Sequence, residues 1–115
     1  MPEVRVKYRN SRLNQETLEK LSDGLGRIIA EHLGCTSINL SYNDISLSFL
    51  PYTTFDQHQN DLEILVDAFK YEERLINIDE RNEKIFKAIE EILGPNISFF
   101  VWTRLTEGGF NSTNQ

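Results

Sequence analysis

At 115 residues, with 39% hydrophobic and 10% aromatic residues, the chain is long and apolar enough for one domain with a buried core, and too apolar for a disordered chain. Its formal charge of −6 and the lack of any Lys/Arg cluster exclude a protein that coats nucleic acid, because phosphate binding needs a basic footprint. A small anionic substrate remains compatible, since two or three local arginines can set the potential inside a cleft.

The single cysteine, Cys35, rules out an internal disulfide framework and metal sites built on paired cysteines. No apolar run approaches the roughly 18 residues of a membrane span, and the first residues alternate charge with valine, unlike a signal peptide. A cytosolic protein is expected, with no membrane partner.

Residues 2–9 alternate, with Val4, Val6 and Tyr8 on one side and Glu3, Arg5, Lys7 and Arg9 on the other, which predicts a strand with one buried face. Residues 10–13 form a turn containing Arg12. Asn14 is placed to cap a helix with Glu16 in its electropositive first turn. Leu18, Leu21, Leu25, Ile28, Ile29 and Leu33 give that helix one apolar stripe, and Gly34 ends it. Gly24 and Gly26 lie inside it and suggest close packing against a sheet.

Residues 38–50 read as extended, but the apolar phase slips from even to odd at Asn43-Asp44, which predicts a bulge or a break between two short strands. A polar connection, 51–61, leads to a more continuously apolar strand, 62–70. After a looser stretch holding Arg74, Asp79 is expected to cap a second helix with the stripe Ile85, Phe86, Ile89, Ile92 and Leu93, ended by Gly94-Pro95. Residues 97–105 form the last strand. A polar, glycine-containing tail, 106–115, follows and is expected to be mobile unless another subunit holds it.

Shifting the chain by 60 positions lays Val4 on Ile64, Val6 on Val66, Leu25 on Ile85, Ile29 on Ile89, Leu33 on Leu93 and Gly34 on Gly94. The pattern predicts an α+β fold made of a duplicated β-α-β unit, a four-stranded sheet with two helices on one face, in a single domain over 1–115 with pseudo-repeats at about 2–50 and 62–105. Two helices cover only one face. Apolar residues left over on β-strands near 64–69 and 99–102 therefore predict a homo-oligomer.

Pro2 opening the first strand, Arg12 at that strand's far end, and the 60-residue repeat together resemble the tautomerase superfamily, which includes 4-oxalocrotonate tautomerase, macrophage migration inhibitory factor and malonate semialdehyde decarboxylase. The helix ending in Gly34-Cys35 and the central apolar strand 62–70 are similar to a small uncharacterised bacterial branch of it. The resemblance implies a trimeric assembly with the active site where one subunit's amino-terminal proline meets a neighbour. It also implies that Pro2, freed of Met1, is the catalytic residue and that Arg12 binds substrate. Arg74 falls near where malonate semialdehyde decarboxylase-like members carry arginines, and Phe100 and Trp102 would supply an apolar wall. The second basic group that oxalocrotonate tautomerases carry early in the second strand is replaced by Leu40, which tells against their dicarboxylate substrates.

The chemistry is physically coherent. A proline amine in an apolar pocket loses solvation of its charged form, so its pKa falls. Such a base can take a proton from carbon beside a carbonyl and return it elsewhere, while an arginine holds the substrate carboxylate and the developing enolate. No cofactor and no metal is implied.

Plainer readings stand beside this one. Pro2 also fits the start of an edge strand, Arg12 a solvated turn residue, and Arg74 a surface charge. Phe99, Phe100 and Trp102 fit core or interface, and His58 with Asp56 and Asp61 fits a solvated loop rather than a metal site. The competing function is a non-catalytic ligand-binding or assembly module, on the same fold or on a ferredoxin-like one of the same element order.

Overall fold

The computed structural model describes residues 2–36, 38–109, 111 and 113. The expected mobility of the tail beyond Gly109, and the fate of Met1, fall largely outside these residues. The chain runs β1 (Glu3–Tyr8), α1 (Gln15–Leu33), a 3-10 turn (Tyr42–Asp44), β2 (Ser46–Pro51), β3 (Leu62–Phe69), α2 (Glu72–Ile76), α3 (Ile78–Leu93) and β4 (Phe99–Thr106).

The four strands form one sheet in the order β2-β1-β3-β4. β1 pairs in parallel with β2, β3 in parallel with β4, and β1 antiparallel with β3. Each half is thus a strand, a helical crossover and a parallel strand, and the halves meet back to back through β1 and β3. This is the predicted duplicated β-α-β architecture.

Alternation decides which face is buried. Val4 and Val6 on β1, Leu62, Ile64, Val66 and Ala68 on β3 and Val101 on β4 face the helices. They meet Leu21, Leu25, Ile29 and Leu33 of α1 and Ile85 and Ile89 of α3, all inaccessible to solvent. Phe99 lies on this face too, stacked on Phe86 at 4.5 Å. The Asn14 side chain caps α1 by accepting from Thr17 N at 2.8 Å.

Several local expectations change. Only the second half of the extended 38–50 region joins the sheet, because the phase slip is the 3-10 turn, closed by Ile45 N donating to Tyr42 O. Residues 72–76, read as a loose stretch, form the short helix α2, and Asn77 rather than Asp79 is the residue before α3. Gly24 and Gly26 pack against Ile92 of α3 and Tyr42, not against the sheet.

The outer face of the sheet is mixed rather than plainly apolar. Leu50, Leu65, Phe69, Phe100 and Trp102 share it with Glu3, Arg5, Lys7, Glu63, Asp67 and Arg104. Arg104 clasps Asp67 through two bonds, Nε at 2.8 Å and Nη2 at 2.9 Å, and lies over the Trp102 ring. Among the described residues, no helix is long and apolar enough to cross a membrane.

Candidate functional site

Pro2 is buried, immediately ahead of a central strand, so the edge-strand reading does not apply. Its missing N–H is tolerated because it stands outside the ladder, where its carbonyl accepts from Ser46 N at 3.1 Å. Two residues before Val4, it points to the same helix-facing side. The Glu3–Asp67 register sets it opposite Ala68, one residue from Phe69.

Arg74 belongs to the same end of the sheet. Its Nη1 donates to Phe69 O at 3.0 Å and its Nε to Leu33 O at 2.8 Å, while its guanidinium lies 4.9 Å from the Tyr71 ring centroid. It is 2% exposed, so it is not a surface charge. Burial lowers its pKa, opposed by the neighbouring Cys35 thiol and Tyr71 phenol.

The local reason for this arginine is the end of α1. Gly34 is extended, with φ −61° and ψ 150°, and does not form the left-handed turn that would return amides to the last helical carbonyls. Arg74 takes the carbonyl of Leu33, and Arg81 Nη1 takes those of His32 and Gly34 at 3.1 and 2.9 Å. Glu73 adds a clamp two residues beyond Gly34, accepting from Thr36 N at 2.9 Å and Oγ1 at 2.7 Å. These bonds, those to Thr36 first, hold the Glu73 carboxyl below its ordinary range. A cleft of about 560 Å³ opens between the end of α1, residues 34–36 and 38–40, and Glu73.

Arg12 lies at the opposite end of the sheet. Its Nη2 donates to Asn96 O at 2.6 Å and its Nε faces Asp61 Oδ2 at 3.4 Å. β1 alone spans about 20 Å, so Pro2 and Arg12 of one chain are far apart. Phe100 and Trp102 sit on the outer face of β4, paired in register with Glu63 and Leu65 and separated from β1 by β3. Trp102 is 56% exposed. Of the five expected site residues, Pro2 and Arg74 lie at one end of the sheet, Arg12 at the other, and Phe100 and Trp102 next to each other on its outer face.

Around Arg12 the structure builds a polar cluster that periodicity did not reveal. The His58 ring stacks on Tyr52 at 3.5 Å, and its Nδ1 meets the Glu63 carboxylate. Only 14% of the His58 side chain is exposed, so the solvated-loop reading fails. Tyr52 Oη and His58 Nε2 are buried without a hydrogen-bond partner among the described residues. Burial, then Glu63, pushes the Tyr52 phenol well above its ordinary value.

Asp61 organises the cluster. Burial works to raise its carboxyl, but the Ser98 amide and hydroxyl and the Arg12 guanidinium outweigh it and hold the group below the usual carboxylate range. The only sequence signal was a run of charged and hydrogen-bonding residues around the start of β3. Nothing in it paired residues 9, 12 and 61.

A proline heading a central strand, two back-to-back β-α-β halves and helices on one face of the sheet decide the architecture. The fold is that of the tautomerase superfamily. Among solved structures of this fold, N1, a member of the cis-3-chloroacrylic acid dehalogenase family, superposes with a TM-score of 0.70 at 11% identity, covering 98% of this chain and 81% of that one. A fused 4-OT, an asymmetric trimer, superposes at 0.66 with 14% identity over 98% and 94%. The macrophage migration inhibitory factor-like protein of Entamoeba histolytica superposes at 0.64 with 9% identity over 96% and 95%. No family model and no curated protein matches the sequence. The tautomerase fold is therefore shared at low identity, with the chemistry left to the site itself.

Proposed function

We propose that this chain is a cofactor-independent, tautomerase-like enzyme in which the amine of Pro2, freed by removal of Met1, is the general base for a small keto/enol carboxylate. The observation that carries this reading is the burial of Pro2 at the head of a central strand, on the helix-facing side of this fold. An amine there loses hydration of its charged form, which favours the free base at neutral pH. The base removes a proton from carbon beside the carbonyl, and the protonated amine returns it to the enolate.

The carboxylate is held by Arg12. Because Arg12 and Pro2 occupy opposite ends of one chain's sheet, the site is shared, with Arg12 reaching the Pro2 end of a neighbouring copy in a homotrimer. The exposed Trp102 and the half-buried Phe100 on the outer face form the apolar wall at that junction. Arg74 sets the electrostatics of the Pro2 end, adding a buried positive charge that further disfavours a protonated amine.

A second reading keeps the fold and omits the chemistry, as an oligomeric ligand-binding or assembly module. The observation favouring it is the commitment of Arg74 to two backbone carbonyls, which occupies a guanidinium otherwise suited to substrate.

Intact mass measurement before and after treatment with 3-bromopropiolate, paired with an enol-to-keto assay on phenylenolpyruvate, separates the two. The enzyme reading expects a chain without Met1, one label on Pro2, and turnover abolished in Pro2→Ala. Full activity in Pro2→Ala, or a retained Met1 in an active protein, eliminates the proline base.

A further inference from the structure

Arg5 and Lys7 project from the middle of β1, an inner strand, onto the outer face of the sheet, away from the helices. Arg5 stands between Ser48 of β2 and Leu65 of β3, and Lys7 between Leu50 and Glu63. With Val6, Ser48, Leu50 and Leu65 they line a hollow of about 300 Å³. Arg5 uses only Nε, which donates to Glu3 Oε1 at 2.7 Å, and among the described residues its Nη1 and Nη2 make no hydrogen bond. Lys7 makes no ion pair among those residues. Glu63 opposite it is engaged by His58 Nδ1, and Asp56, which feels the Lys7 charge at longer range, accepts from Thr53 N at 2.7 Å.

Residues two apart on a strand share a face at a spacing of about 7 Å, so the two charges repel each other. An anion seated between them reverses the sign of that interaction. Counting Glu3, the group carries a net single positive charge, in a chain whose formal charge is −6. The guanidinium's free Nη1/Nη2 edge is the fork that takes a carboxylate in two parallel bonds, and the Ser48 hydroxyl can donate beside it. Leu50 and Leu65 flank the cations with branched aliphatic surface, and Leu50 is 58% exposed. A hollow of this volume is at the small end of ligand pockets, which pair apolar walls with a few polar groups.

We propose that the hollow on the outer face is a binding site for a small aliphatic monocarboxylate, its head on Arg5, Lys7 and Ser48 and its tail across Leu50 and Leu65. The site is separate from Pro2, which lies on the helix-facing side of the sheet, and does not depend on the proline chemistry. Charge complementarity selects the head. The two leucines, with no aromatic ring in the lining, select an aliphatic tail.

The test titrates the full chain with octanoate by calorimetry, with acetate as the head alone and octanol as the tail alone. Octanoate is expected to saturate one site per subunit, with acetate and octanol at least tenfold weaker. Arg5→Gln and Lys7→Gln each weaken octanoate about tenfold, whereas Arg12→Gln leaves it unchanged. In the wild-type protein the methyl NMR signals of Leu50 and Leu65 move during the titration. Absence of saturable binding, still methyl signals, or wild-type affinity in folded Arg5→Gln and Lys7→Gln overturns the site. Binding lost in Arg12→Gln and kept in Lys7→Gln puts the carboxylate at the far end of β1 and overturns it too. Octanoate that binds only once Trp102→Asp has separated the subunits means that a neighbouring copy fills the hollow, which equally rejects a ligand site.

Discussion

Arg74 Nε donates to the carbonyl of Leu33 at 2.8 Å and joins the last turn of α1 to α2. The same guanidinium reaches Phe69 O at the end of β3, so one buried side chain ties two helices to the end of the sheet where β1 begins. Its charge is offset by carbonyl dipoles and the face of Tyr71.

Arg74→Met keeps much of the side chain's volume but leaves two inward carbonyls without their donor. The expected loss is about 2–4 kcal/mol, the scale of unsatisfied buried acceptors that had been bonded to a charged group. Urea unfolding followed by circular dichroism measures it, and an unchanged midpoint would contradict the capping role.

Gly26→Ala should act in the opposite direction. A Cβ there would stand 3.4 Å from Tyr42 Cβ and Tyr42 O, which is ordinary contact, and Gly26 has helical rather than left-handed backbone. Replacing glycine inside α1 then stabilises by about 0.5–1 kcal/mol through helix propensity. A fall in thermal midpoint would mean that the 3-10 turn cannot give way at all.

Tyr52 should govern stability at high pH. Its phenol is held protonated by burial and by Glu63, while the same group in the unfolded chain ionises near pH 10. Above that pH the unfolded state loses protons that the folded state retains, so stability declines as pH rises. Tyr52→Phe removes this decline. Because Tyr52 Oη has no hydrogen-bond partner among the described residues, the substitution costs little at neutral pH. Urea midpoints at pH 7 and pH 11 give the comparison.

Association through the outer sheet face should depend on Trp102. Trp102→Asp places a second carboxylate near Asp67, whose partner Arg104 lies over the indole. An assembly that buries this face loses both the aromatic contact and charge balance there, and becomes monomeric. Light scattering reads the mass. An unchanged oligomer would place the interface elsewhere.

The order of strands and long helices was legible in the residues because it rests on local periodicity. Alternation at Val4, Val6, Ile64 and Val66 and the stripes ending at Leu33 and Leu93 repeat at a constant offset, and the same positions line the core. α2 escaped notice because its five residues are too few to show an apolar stripe. The half-strand at 38–41 misled because apolar alternation near a turn looks the same whether or not a ladder partner exists.

Pro2 and Arg12 stood out as candidates through the family resemblance that their positions carry, and their residue types are consistent with proton transfer beside a bound carboxylate. Tertiary structure alone decided that Arg74 is buried at the Pro2 end of the sheet, and that Arg9 and Arg12 share Asp61. The physical reason is one of range. Side-chain period is set within a strand or helix by its own geometry, whereas a guanidinium finds its carboxylate only after the antiparallel pairing of β1 and β3 has brought residues 9 and 61 side by side.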